Sequence, residues 1–553
     1  MNKNFLQTCV AATGEFVYGI HKPKYTALNL RQNDYIITLG HSPDQTKIDN
    51  TDNFPADNIH VASSAWVFEI PNAFPFMGAT FVLKTYADGA VGNANPFERK
   101  DESGPGRSLE KYEPAGDLSL ENLPHPLLLA LAKTSSNPQN LVKLANLSCR
   151  FEFDPKTDLP MGISYTRTER GDLRPAILDE QLFDLVSNNP FLPDTYKQRM
   201  VLIPGVQGKS PIVGEYIGAG THIWEYLREN SYIPWGHYAA NMAHDSIRYK
   251  IKSLTEKDIT GLRHLYYQRI YVQLAIELDI IVPAKRRPLS RDELEDLRHC
   301  LLVKIRQTEK QGGKLPFNAT IWGQNFGFDL SPSGYRLNAS HQQIHQQFAL
   351  APPCGPAFKG GENETSQCTF STYTQGDLVA RFCKEYKEKT GRDFFETYLH
   401  AIQNNKRMDG RADKENDLIF YQDENVLAFV PKAQRSQGEV QIMPKGRYGN
   451  ILETDTPVRS SLDRAILITM KVLENLGAEM ITIYEISKRF DHPDEDQRLI
   501  CCFLPKHPQS PGGLSEWQQR WIIGHYPEDF AQACRDEVKK ISIVQKVRQK
   551  GFD

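Results

Sequence analysis

The sequence predicts an α+β protein with two half-domains, each an antiparallel sheet carrying a packed helix. Three observations lead there. Short runs of β-branched and aromatic residues bounded by Asn, Asp, Gly and Pro recur along the 553 residues. They include Tyr35-Ile-Ile-Thr-Leu39, Ala65-Trp-Val-Phe-Glu-Ile70 and Ala79-Thr-Phe-Val-Leu-Lys-Thr-Tyr86. Two well-punctuated amphipathic helices are predicted after Thr255 and after Thr456. Around the second of these the order is strand, strand, helix, strand, strand.

Taken in order, residues 1–150 form a β-rich N-terminal region with no assigned role. Residues 151–350 form the first half. In it Thr255 and Asp258 make a capping-box start, and Ile259, Leu262, Tyr266, Ile270, Leu274 and Leu278 recur at three- and four-residue intervals. A further helix capped by Ser290 and Glu293 runs through Leu301 and Ile305 to Gly312-Gly313 and reads as an insertion. Residues 351–415 read as a Pro/Gly/Cys loop and a helical linker holding Leu378, Phe382, Tyr386, Phe394 and Tyr398. Residues 416–553 form the second half. Its strands are Asn425–Pro431, Glu439–Met443, Ile481–Ile486 and Leu499–Leu504, around a helix with Thr456 as N-cap, Pro457 at its first position and Gly477 as its stop.

The stretch richest in chemistry is Arg336-Leu-Asn-Ala-Ser-His-Gln-Gln-Ile-His-Gln-Gln-Phe-Ala-Leu-Ala-Pro-Pro353. As a strand it places His341, Gln343, His345 and Gln347 on one side and Gln342, Ile344, Gln346 and Phe348 on the other. The first row offers imidazoles and amides only, and Asn338 and Ser340 extend it toward the preceding turn. Such a row suits an anionic, phosphate-like ligand. Glutamine-rich stretches are also ordinary solvated surface, and the pattern alone leaves both readings open.

Ser340-x-x-Gln343-x-His345-x-Gln347 resembles the Ser-x-x-His-x-His-x-Gln signature of the galactose-1-phosphate uridylyltransferase branch of the histidine-triad superfamily, which also holds the dinucleoside-polyphosphate phosphorylases. The resemblance implies two HIT-like half-domains, the second degenerate because Leu499–Leu504 carries Cys501 and Cys502 and no histidine. It makes His345 the nucleophile that takes a nucleotidyl group and Gln347 the residue that holds the transferred phosphate. Gln343 stands where the signature has its first histidine, a zinc ligand in some members, and takes a supporting role. His341 is an extra histidine that either protonates a leaving oxygen or closes the row. Ser340 and backbone N–H groups near Asn338 are further donors, and Arg248 and Lys445 are candidate phosphate contacts from the flanking half-domains. Tyr526-Pro-Glu-Asp-Phe-Ala-Gln-Ala-Cys-Arg535 resembles the helix that ends these transferases. Asn72-Ala-Phe-Pro-Phe76 resembles a segment beside their base pocket, but lies far upstream and reads first as a loop with buried aromatics.

Composition narrows the alternatives. Lys plus Arg at 65 against Asp plus Glu at 68 gives a formal charge of -3, which supplies no electrostatic case for nucleic acid or an anionic membrane. The apolar runs are far short of the ~20 residues that span a bilayer, and the first residues lack a signal-peptide core. A soluble, cytoplasmic protein is expected. The nine cysteines include no Cys-x-x-Cys pair and read as reduced thiols. His341 and His345 are four apart, as are many zinc ligands. Neither the Glu of His-Glu-x-x-His nor a third ligand accompanies them, and Cys354 and Cys368 lack histidines at ligand spacing, so no metal is expected. No cofactor is expected beyond the nucleotide substrate, and a homodimer is implied by the resemblance alone. The expected function is nucleotidyl transfer or phosphorolysis acting on a nucleotide sugar or dinucleoside polyphosphate. The alternative is a non-catalytic nucleotide-binding or regulatory protein on a decayed fold of this kind.

Overall fold

The computed structural model describes residues 7–28, 35–54, 57–62, 66–97, 120–169, 173–189, 191–201, 212–216, 224–228, 251–283, 287–327, 345–356, 369–506 and 513–550. Strands and helices both contribute to its cores, as an α+β fold requires. Near the N-terminus, β1 (Gly19–His21), β2 (Val67–Pro71) and β3 (Ala79–Leu83) lie side by side. The run expected to stay extended to Tyr86 stops at Leu83, and Lys84–Gly89 is helical. A Lys84–Asp88 ion pair at 2.6 Å, one helical turn apart, supports that turn.

Helices α1 (His125–Thr134), α2 (Pro138–Ser148) and α3 (Glu180–Asn188) close a small core of their own. Leu131 and Leu144 meet Ile163, Leu182 and Val186 there. This core runs across residue 150, where the sequence suggested a boundary, because apolar faces on both sides of that point have only each other to bury against.

Next come α4 (Glu256–Glu277), α5 (Arg291–Lys310), β4 (Ala319–Gly327), β5 (His345–Ala351), α6 (Gln375–Thr390), α7 (Phe394–Gln403), β6 (Ile419–Gln422), β7 (Val426–Phe429), β8 (Val440–Pro444), α8 (Thr456–Asn475), β9 (Met480–Ile486), β10 (Ile500–Pro505), β11 (Arg520–Ile523) and α9 (Pro527–Lys550). The strands β4 to β10 form one continuous seven-stranded antiparallel sheet in the order β5-β4-β9-β10-β8-β7-β6. Both halves of the chain thus share a sheet: β4 and β5 join the five later strands where β4 pairs with β9, Gly323 opposite Tyr484 and Asn325 opposite Thr482. Each edge satisfies the hydrogen-bonding groups the other would leave open. β11 adds to the N-terminal strands, parallel to β3.

Alternation along the strands divides the sheet's two faces. One face carries Trp322, Phe326, Ile483 and Phe503 and is covered by α4, α5, α8 and α9. The other carries Leu427, Phe429, Met443 and Cys502 and is covered by α6, α7 and the N-terminal strands. The segment 351–415, expected as a linker, is therefore a layer of the core. Its apolar positions Phe382, Tyr386, Phe394, Phe395 and Tyr398 are all buried, and Phe394 lies 5.3 Å from the ring of Phe74. Burying each such side chain is worth ~1.5–3 kcal/mol, which outweighs the cost of ordering a linker.

The expected caps hold at α4 and α5. Thr255 Oγ1 accepts from Asp258 N at 3.2 Å while Asp258 Oδ2 accepts from Thr255 N at 2.8 Å, and Ser290 and Glu293 repeat the exchange. At α8 the cap is Asp455 in place of Thr456. The Asp455 carboxylate accepts from Val458 N at 3.1 Å, whereas the Thr456 hydroxyl donates to Glu295 Oε2 at 3.0 Å. Among the described residues no helix is long and apolar enough to cross a membrane.

α7 is capped from outside itself. Asp393 precedes it but turns its side chain to Lys387 and makes no cap bond, and Asp496, from the loop between β9 and β10, accepts from Phe395 N at 2.8 Å and Glu396 N at 3.3 Å. Burial, reinforced by the neighbouring Asp393 and Asp494 carboxylates, pushes the Asp496 carboxyl up to about 6. The folded protein then holds this proton more tightly than the unfolded chain, whose aspartates titrate near ~3.9. Stability from this group therefore rises as pH falls from about 6 toward 4, and it is lost as pH climbs through 6. Urea denaturation of Asp496→Asn is expected to show a flatter stability profile between pH 4 and pH 7 than the unaltered protein. Identical profiles would show that Asp496 titrates normally.

Candidate functional site

β5 is the edge strand of the main sheet, and its register fixes what each residue faces. Asn325 lies opposite His345, Gly323 opposite Gln347 and Trp322 opposite Phe348. Gln346 Oε1 accepts from the buried Trp322 Nε1 at 3.0 Å, and the Phe348 ring lies 5.7 Å from that of Tyr266. Those two side chains anchor β5 to the face covered by α4, α5, α8 and α9. Gln347 is accordingly exposed on the opposite face, and position 345 shares that side of the pleat. Neighbouring strands space these rows ~4.8 Å apart, so position 345 and Thr482 are separated by about 10 Å with Asn325 between them.

Two rows of backbone partners cross the sheet at this end. The first runs from His345 through Asn325 and Thr482 to Leu504. The second runs from Gln347 through Gly323 and Tyr484 to Cys502 and Gln441. In the first, Thr482 Oγ1 donates to Asn325 Oδ1 at 2.8 Å. In the second, Gly323 leaves a gap with no side chain between Gln347 and Tyr484. A Cβ there would meet only Ile483 O at 3.5 Å and Tyr484 Cβ at 3.7 Å, so the gap is not imposed by crowding. Gly327 ends β4 beside these rows with φ +77°, and a Cβ on it would stand 2.0 Å from Glu479 O. Only glycine allows the chain to leave the sheet there.

Behind Tyr484 sits a buried cation. Arg435 Nη2 pairs with Glu439 Oε1 at 2.5 Å, and its Nη1 donates to the Tyr484 hydroxyl. Burial raises the Tyr484 phenol well above its usual value, although Arg435 opposes the rise. Tyr484 therefore stays protonated, a neutral donor or acceptor. N-terminal residues brace this corner: Thr80 Oγ1 donates to Gln434 O at 2.8 Å and Asn72 Nδ2 to Ala433 O at 3.2 Å. The Asn72–Phe76 segment is thus a loop with buried aromatics, Phe74 being fully enclosed, and it supports the Arg435 turn.

Lys445 is not among these groups. It follows β8 at the opposite end of the sheet, and its Nζ donates to Asp423 O at 2.5 Å, closing the turn between β6 and β7. The antiparallel course of β8 carries it away from the His345 end, so it makes no phosphate contact there. Asn338, Ser340, His341, Gln343 and Arg248 lie outside the described residues. Asn325, Thr482, Tyr484 and Arg435 are the site-end residues the sequence did not single out. The available signal was polar residues alternating with apolar ones at Thr482 and Tyr484 in an otherwise aliphatic strand.

Cys501 and Cys502 on β10 are fully enclosed, and burial pushes their thiols up, that of Cys502 to about 11. They pack the core as neutral thiols and supply no nucleophile. Among the described residues no group of three or more His, Cys, Asp or Glu is placed to hold a metal ion.

No family model matches the chain, and the comparison with curated proteins gave no match. Among solved structures the chain is similar to a uridylyltransferase mutant at 16% identity, covering 46% of this chain and 73% of that one with a TM-score of 0.31. It is similar to a GalT-like protein from Arabidopsis thaliana at 12% identity, covering 45% and 69% with a TM-score of 0.30. It is also similar to an ADP-glucose phosphorylase from Arabidopsis thaliana with bound ADP-glucose, at 13% identity, covering 45% and 66% with a TM-score of 0.30. Scores near 0.3 fall short of a shared fold, so the function is argued from this chain's own residues.

Proposed function

We propose that this protein is a nucleotidyltransferase or phosphorylase that passes a nucleoside monophosphate between two phosphate-bearing compounds, with His345 as the covalent carrier. The observation that carries the reading is the anchoring of β5. Gln346 and Phe348 are held to the buried face, which leaves the motif positions 345 and 347 on the side that also bears Asn325, Thr482 and Tyr484. The motif itself supplies the chemistry, and the two HIT-like halves are part of the same proposal.

A neutral imidazole nitrogen of His345 attacks the α-phosphorus, a P–N bond forms and the P–O bond to the leaving phosphate breaks. In the second step a phosphate oxygen of the acceptor attacks the same phosphorus and the P–N bond breaks. Each step is an in-line displacement whose equatorial oxygens need donors. Gln347 and Ser340 are the first assigned to this task. Asn325 and Thr482, one and two strands away and bonded to each other, are assigned the nucleoside side of the substrate.

Intact-protein mass spectrometry after brief exposure to UDP-sugar, ADP-sugar, GDP-sugar and dinucleoside polyphosphates tests the proposal. A nucleotidyl adduct that survives base, is lost in mild acid and discharges to an added phosphate acceptor is the expected result. Gln343, standing where the resembled signature has histidine, favours one rival: a binding or regulatory protein that holds nucleotide without reacting. Saturable binding of a nucleotide with no adduct and no turnover from any donor would establish that rival.

Gln347 provides a graded check. Its amide serves the transition state more than the ground state, so Gln347→Ala should lower turnover roughly 10²-fold with KM little changed and the unfolding midpoint unaltered. A loss below threefold would remove it from the mechanism.

A further inference from the structure

Behind the sheet, on the helix-covered side, the first turns of α4, α5 and α8 surround a cavity of about 110 Å³, where a single water needs only ~10–15 Å³. Its polar lining includes His264, Arg291, Arg459, Asp463 and Arg464. The charges beneath it balance. Arg263 pairs with Asp463 at 3.1 Å and with Glu485 at 2.7 Å, while Glu295 pairs with both Arg298 at 2.5 Å and Arg459 at 2.6 Å. Three guanidinium groups thus meet three carboxylates. Arg291 and Arg464 are left over, exposed at the rim and in no ion pair among the described residues, with Glu256 the one remaining carboxylate of the lining.

Two further features bias the cavity the same way. His264 Nε2 is buried with no hydrogen-bond partner among the described residues, and such a group costs free energy until a ligand or water meets it. Burial, with Arg291 and Arg459 nearby, holds this imidazole below its usual pKa against contacts with Leu289 and Gln268, and the tautomer protonated at Nε2 leaves a neutral ring that donates there. The three helices also begin here, and their dipoles add at the rim what the capping carboxylates of Asp258, Glu293 and Asp455 leave uncompensated.

From these groups we infer that the cavity is a second binding site, for a compact oxyanion carried by a small molecule, with Arg291 and Arg464 closing on it from the rim and His264 donating from within. The cavity opens among helices on the side of the sheet away from Gln347, so this site is separate from the one proposed for His345 and does not depend on nucleotidyl transfer.

Calorimetric titration with inorganic phosphate, sulfate and malonate, against sodium chloride of equal ionic strength, tests the inference. For at least one of the three, a saturable site that the rim arginines control is expected, beside any phosphate bound at the site proposed for His345. Preference for phosphate or sulfate would assign a tetrahedral oxyanion, and preference for malonate a carboxylate. Two exposed arginines without ion pairs can be removed without loss of the fold, which the unliganded melting temperature checks. Arg291→Ala combined with Arg464→Ala should weaken binding at least about tenfold, while His345→Ala should bind as the unaltered protein does. Absence of saturable binding by every probe, equal affinity in the double variant, or loss of binding in His345→Ala would each overturn it.

Discussion

His345→Ala is expected to abolish the nucleotidyl adduct and to lower transfer by on the order of 10⁴-fold or more, since removing a covalent nucleophile leaves only positioning and electrostatic stabilisation. Among the described residues no neighbouring group is placed to take over. The two cysteines on β10 are enclosed and protonated, and the Tyr484 phenol is held neutral by burial. The substitution sits at the start of an edge strand anchored through Gln346 and Phe348, so the unfolding midpoint should barely move. Comparing binding of each donor with adduct formation separates chemistry from recognition: unchanged binding with no adduct supports the nucleophile. An adduct that forms in His345→Ala at the original rate would place the nucleophile elsewhere.

Arg263→Ala carries the largest expected effect on stability. The guanidinium is almost wholly buried between α4, α8 and β9, bonded to Asp463, Glu485 and the Tyr267 hydroxyl and lying 4.6 Å from the Trp322 ring. Removing it strands the enclosed Glu485 away from water and leaves Asp463 with the Tyr267 hydroxyl alone, a loss of roughly 3–5 kcal/mol. Burial already pushes Asp463 up to about 6, even with Arg263 beside it. Urea unfolding of Arg263→Ala should show this loss, or no folded protein at all. The informative companion is Arg263→Met with Asp463→Asn and Glu485→Gln, which removes the stranded charges and should recover much of the stability. A triple variant no better than Arg263→Ala alone would mean that packing against Trp322, and not charge, is what Arg263 supplies. The same substitution reaches the site by contact, because Trp322 holds Gln346 between the two motif positions.

What neighbours along the chain encode was legible. The caps at Thr255 and Ser290, the apolar spacing of α4 and the later strands depend on residues three or four apart, or on simple alternation, and the structure forms them within a residue or two of the expected bounds. At α8 the expected cap, Thr456, is displaced by Asp455, whose carboxylate accepts from Val458 N while the Thr456 hydroxyl donates to the distant Glu295. Of the motif's expected strand face, positions 345 and 347 fall in the described strand two residues apart, and the rest lies outside the described residues.

Long-range pairing was not legible. Asn325 meets Thr482 across 157 positions, and nothing local in either strand specifies that partner. That one pairing builds the continuous sheet, brings Tyr484 and Arg435 to the His345 end, and sends Lys445 to the other. The segment 351–415 has the charge of a linker, yet its aromatic positions become a core layer once Phe74 arrives from the N-terminal region. By itself, then, the sequence determined the later helices and strands and the residue types of the row from His341 to Gln347. Tertiary structure alone decided which edges join, which charges are buried together and which side chains accompany that row, because hydrophobic burial and edge pairing act on surfaces that exist only after distant segments have met.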